Sequence, residues 1–142
     1  MGFESSNERP PKTEQQVAEQ ISRIAHILEE RAGTDLITVP EVTLYDPSHP
    51  DYMVNNHPEW AGGNTQLVER TGEVGGNEKI IQIEADPKKG KVWGELVRIE
   101  DGKRKVTRLN QKQKISASAK ILSKALEKVA REEQEVEEFI NS

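Results

Sequence analysis

Two histidines, His49 and His57, share one proline-rich stretch with Asp46, Asp51 and Glu59, and imidazoles among carboxylates are the raw material of zinc sites and of general acid–base chemistry. Zinc sites draw their ligands from short, regular spacings, which this stretch lacks. Ser48-His49 sets a hydroxyl beside an imidazole along the chain only, whereas a nucleophile and its base need placement in space and an orienting carboxylate. His26 falls beside an apolar helical stripe and reads as a boundary residue. The chain has no Cys, which excludes disulfides, thiolate metal sites and a cysteine nucleophile. Gly62-Gly63-Asn64 and Gly75-Gly76-Asn77 are not followed by Gly-Lys-Ser/Thr, so neither is a phosphate loop. The expectation is a protein that is not an enzyme and has no cofactor and no metal site.

Charge is the stronger signal. Residues 1–87 carry six Lys/Arg against sixteen Asp/Glu, residues 88–120 eleven against three, and residues 121–142 three against six. A net charge of −5 therefore conceals a basic waist, and such segregation points to an electrostatic role for it. Lys88, Lys89, Lys91, Arg98, Lys103, Arg104, Lys105, Arg108, Lys112 and Lys114 could neutralise phosphates, with Trp93 as the one nearby ring able to stack on a base. The plainer reading makes them solvated strand and turn residues.

These side chains need a scaffold, and the chain is long enough for one core. Leu, Ile, Val and Phe supply only 32 of the 142 residues, so that core is small and aliphatic. No apolar run approaches the roughly 20 residues that span a bilayer, and a cytoplasmic protein with no membrane contact is the simplest reading. Residues 1–12 read as a flexible lead-in ending in Pro10-Pro11, and 13–142 as a single domain.

The spacing predicts a helix from Thr13, with Gln16 completing a capping box, Val17, Ile21, Ile24 and Leu28 on one stripe, Ile27 at its edge and Gly33 as the stop. Leu36–Val39 and Val42–Tyr45 are β-rich on either side of Pro40, which suggests an edge strand or a bulge. Residues 46–64 hold breaker pairs at short intervals and predict a long loop, with Tyr52 and Trp60 as candidate anchors on a partner or pins over the sheet. Each Gly-Gly-Asn turn launches a strand, and Asp86–Gly90 and Asp101-Gly102 mark hairpins.

From about 111 to 141 a heptad stripe runs through Ile115, Leu122, Val129 and Val136, with Ala119, Leu126, Glu133 and Ile140 as the partner series, broken once by Glu133. Ile121 and Ala125 widen its first half, and the acidic second half is expected to project. The whole predicts an α+β domain: an antiparallel meander of four or five strands, curling toward a small barrel, flanked by an N-terminal helix and a long C-terminal one. A protein-interaction or assembly module is the expected function, working through loop 46–64 and Ile115, Leu122, Leu126, Val129, Val136 and Ile140. Nucleic-acid binding by the basic hairpins of residues 88–114 is the alternative.

Overall fold

The computed structural model of the chain describes residues 13–39, 50–57, 64–72 and 74–141. Helix α1 (Glu14–Ala32) precedes strands β1 (Leu36–Val39), β2 (Asp51–His57), β3 (Asn64–Gly72), β4 (Glu78–Asp86), β5 (Lys91–Glu100) and β6 (Lys103–Arg108), and helix α2 (Gln111–Asn141) closes the order. The lead-in 1–12, Pro40 and the Val42–Tyr45 run lie outside the described residues.

Both helices begin on reciprocal caps. The Thr13 hydroxyl accepts from the Gln16 amide at 3.1 Å, and the Gln16 side chain accepts from the Thr13 amide at 3.2 Å. Asn110 and Gln113 repeat the arrangement at the start of α2, at 2.9 Å in each direction, so four amide donors that a helix start would leave open are satisfied. Gly33, with φ of 74°, ends α1 in the left-handed conformation.

The sheet has six strands in sequence order, every adjacent pair antiparallel. The additional strand is β2. Asp51–His57 falls inside the stretch predicted as loop 46–64, and the breaker Pro50 stands just before the strand rather than in it. Asn55-Asn56-His57 carries little strand propensity, and tertiary pairing to β1 and β3 overrides it. Within β2, Tyr52, Val54 and Asn56 turn inward together. Among the described residues the sheet does not close into a barrel: β1 and β6 each pair with one neighbour and form its edges. At the β5–β6 turn Asp101 and Gly102 both have positive φ, 54° and 76°, as the two-residue turn between right-twisted strands requires.

Both helices lie on one face of the sheet and run in the same direction. At their starts, Glu14 accepts from the Val92 amide at 2.7 Å and Lys114 donates to the Val92 carbonyl at 2.8 Å. At the far end Arg31 meets Glu133. Between these points Val17, Ile21, Leu28, Ile121, Leu122 and Val129 pack on Ile37, Val54, Leu67 and Ile83 in one buried cluster. The opposite sheet face holds a second, smaller apolar strip, in which Val68 and Val97 are buried beside the partly covered Met53, Ile80 and Ile99.

Candidate functional site

His49, Trp60, Asp46 and Glu59 lie outside the described residues, and His57 stands in β2. His26 is on the exposed side of α1, 3.3 Å from Glu29 and 3.4 Å from Glu30. Among the described residues no group of three His, Cys, Asp or Glu side chains could hold a metal ion.

The predicted helix surface divides in two. Tyr52, Leu122 and Val129, expected to meet a partner, are buried in the chain's own interior. The reason is rotational: α2 buries Ser118, Ile121, Leu122, Ala125 and Val129, a stripe turned toward α1 and the sheet from the heptad centre. Lys124 stands above the Tyr52 ring, 6.0 Å from its centroid, and helps to seal it in. Left outside are Leu126, 43% exposed, Val136, 59%, and Ile140, 72%, with Ile115 half-buried. Every residue of α2 from Ala130 onward is exposed.

Ile24, Ile115, Ala119 and Leu126 line the mouth of a groove of about 450 Å³ between the two helices, with Val17, Ile21 and Leu122 at its base. Its walls are almost wholly apolar, relieved by Gln20, Ser118 and Ser123. Ile27, also exposed, extends the apolar surface along α1.

Glu133, the one break in the heptad, fastens the two helices. Arg31 donates from Nε to Oε2 at 3.1 Å and from Nη2 to Oε1 at 2.5 Å, a two-pronged grip matched to a carboxylate. Hydrogen bonding to Arg31 holds the Glu133 carboxyl below its ordinary pKa, and the same contact raises that of Arg31. A carboxyl with a depressed folded pKa adds stability above its unfolded value and loses it as pH falls through the folded one. The parent chain should therefore resist denaturant better than Glu133→Gln at neutral pH, and the gap should close on acidification below the ordinary carboxylate range. Denaturation midpoints of both proteins across that range measure it, and a gap independent of pH would assign the difference to something other than this pair.

The basic residues are spread over three places. Lys88, Lys89 and Lys91 are exposed at the β4–β5 turn, near Lys112 and Lys114 at the start of α2. Lys103, Arg104, Lys105 and Arg108 are exposed along edge strand β6. Arg98 is half-buried on the helix side of β5. Trp93 is exposed on the opposite sheet face, with Glu84 directly across on β4 and Glu95 two residues on, and it also lines a cleft that holds Lys91, Arg108 and Lys114. Two further cations escaped the sequence reading: Lys79, which sits in an acidic stretch of sequence, and Lys120, whose partner Glu69 is 51 positions away and 3.0 Å distant.

Comparisons with protein families, with curated proteins and with solved structures find no match to this chain.

Proposed function

We propose that the chain is a non-enzymatic assembly module whose partner is a second copy, joined through an antiparallel pairing of α2 about a two-fold axis at Leu126. The observation that carries this reading is the charge order along that one helix. Residues 111–126 contain Lys112, Lys114, Lys120 and Lys124 and no acid, whereas 127–141 contain six Glu against Lys128 and Arg131. Leu126 is the midpoint of α2. A two-fold axis there sets each cationic half alongside the acidic half of the other copy. A parallel pairing would set like charges together.

The apolar residues follow the same geometry. At 100° per residue, Ile115, Ala119, Leu126 and Ile140 fall within about 60° of one another around the helix, with Val136 at the margin. The second copy's Val136 and Ile140 would then reach the cationic half of the seam, beside the groove that Ile24 and Ile27 extend on α1. Such an interface is isologous and self-limiting, which suits a module that builds a defined unit.

The nucleic-acid reading has the exposure of the β6 cations in its favour. It is the weaker, because the cations are spread over three places and Trp93, the ring that shares a cleft with Lys91, Arg108 and Lys114, also has Glu84 and Glu95 beside it.

The chain has no Cys of its own, so a single Leu126→Cys substitution reports on the axis directly. Facing helices 8–10 Å apart bring residues at a two-fold axis within disulfide reach. Mild oxidation should give a covalent dimer from Leu126→Cys and little from Ala130→Cys, which is also exposed but one turn from the axis, so that its two copies stand about 12 Å apart along the paired helices. Equal yields from both would contradict the proposed axis.

A further inference from the structure

We propose that edge strand β6 is a docking site for an extended acidic segment of a protein partner, which joins the sheet as one further strand antiparallel to β6. The two-residue turn at Asp101-Gly102 makes Glu100 and Lys103 its closing hydrogen-bonded pair, and bonded pairs then recur at every second position. The Leu109 amide, donating to the Gly94 carbonyl at 2.9 Å, keeps that alternation to the end of the strand. Lys103, Lys105 and Thr107 therefore direct their backbone groups to β5, whereas the N–H and C=O of Arg104, Val106 and Arg108 point out from the open edge. Strand β6 pairs with β5 residue for residue, with no bulge and no Pro, so this outward row is an unbroken template for another strand.

The side chains say which strand. Four of the six residues of β6 are cations, and all six are exposed. Glu100 and Glu95 stand across from Lys103 and Arg108, yet among the described residues none of the four cations closes an ion pair. Lysine on an edge also keeps sheets from joining, and a single sign of charge does so selectively: it repels another cationic edge, the β6 of a second copy included, and attracts an acidic one. Val106 supplies the register. On the face away from the helices Ile80, Val97 and Val106 form one row across β4, β5 and β6, in which Val97 is buried, Val106 is exposed and the row ends open at the edge. An apolar residue opposite Val106 continues that row, with acids opposite Arg104 and Arg108 on the same face and opposite Lys103 and Lys105 on the other. A nucleic acid would neutralise the cations but leave Val106 and the outward carbonyls without partners. The edge uses no residue of α2 and lies at the end of the sheet order away from β1, so this docking stands or falls independently of the paired-helix reading.

The test uses a fluorescein-labelled peptide, Glu-Thr-Val-Glu-Glu-Glu, whose Val falls opposite Val106 in the antiparallel register. Fluorescence anisotropy with the full chain at low salt should show saturable binding, and hydrogen exchange followed by NMR should show the Arg104, Val106 and Arg108 amides slowed when the peptide is present. The same peptide N-methylated at its Val and at the second residue beyond it keeps every charge and loses donors that face β6, so it should bind at least about tenfold more weakly. Val106→Pro removes an N–H that the sheet itself does not use, a replacement an edge strand accommodates. This variant should keep the parent's circular dichroism and lose affinity for the peptide by a similar factor; should it fail to fold, the N-methylated peptide decides the matter on the unaltered chain. Equal affinity of the N-methylated peptide would reduce the contact to charge alone, and a labelled oligothymidylate that binds more tightly than the peptide would make the edge a nucleic-acid contact. Either result, unchanged affinity in a folded Val106→Pro, or anisotropy that never saturates would overturn the proposal.

Discussion

Replacing Ile121 by Ala should remove about 2–5 kcal/mol of folding stability, the range for a buried Ile whose cavity the surroundings cannot refill. Ile121 is 0% exposed and belongs to the cluster that joins α1, α2 and the sheet. Its loss leaves a void where two helices and a β-layer meet, and the reciprocal caps at Thr13 and Asn110 fix the helix starts so that neither slides easily to fill it. Ile140→Ala on the same helix, at a position 72% exposed, should change the stability of the dilute chain by no more than about 0.5 kcal/mol. Urea midpoints of the two variants at low protein concentration separate the half of α2 that belongs to the fold from the half available to a partner. Comparable losses in both would mean that the second half also packs on the body.

Leu126→Glu should weaken self-association by more than about a hundredfold. At a two-fold axis one substitution places two carboxylates face to face in a seam closed to water, and an uncompensated buried charge costs several kcal/mol where about 1.4 kcal/mol is a factor of ten. The single chain should tolerate the change, because the side chain is 43% exposed and Glu is a good helix former. Circular dichroism and the denaturation midpoint of the dilute protein should therefore stay close to the parent values while the dimer is lost in sedimentation. Unfolding of the variant would instead mark Leu126 as a core residue.

Much of the fold is written locally. The Thr13–Gln16 cap, the Gly33 stop, the two hairpin turns after Asp86 and Glu100 and the long helix from Gln111 each depend on residues within a few positions of one another, and each is where the pattern puts it. Strand β2 was illegible because Asn55-Asn56-His57 has weak intrinsic preference and its pairing is decided by β1 and β3. Tyr52 and Leu122 show a similar limit. An apolar side chain at the right period belongs to a contact, but whether the contact is within the chain or beyond it depends on how far the helix rotates toward the sheet. Ser118 illustrates the point from the other side: a polar residue in the buried stripe, its hydroxyl satisfied by the Lys114 carbonyl at 2.7 Å.

The grouping of Glu69, Lys79, Arg98 and Lys120 beside α2 is harder to see, since they come from four elements and only strand register and helix docking bring them together. The sorting of charge along α2, by contrast, is plain in the sequence. Its meaning depends on knowing that Leu126 stays exposed while Ile121 and Ala125 are consumed by the core.

The most direct test of the assembly reading is sedimentation equilibrium of the unaltered full chain over a range of loading concentrations and two salt concentrations. A mass approaching twice that of the chain, with a dissociation constant that rises as salt screens the matched halves of α2, is the expected result. A single-chain mass at every concentration and in both salts would contradict it.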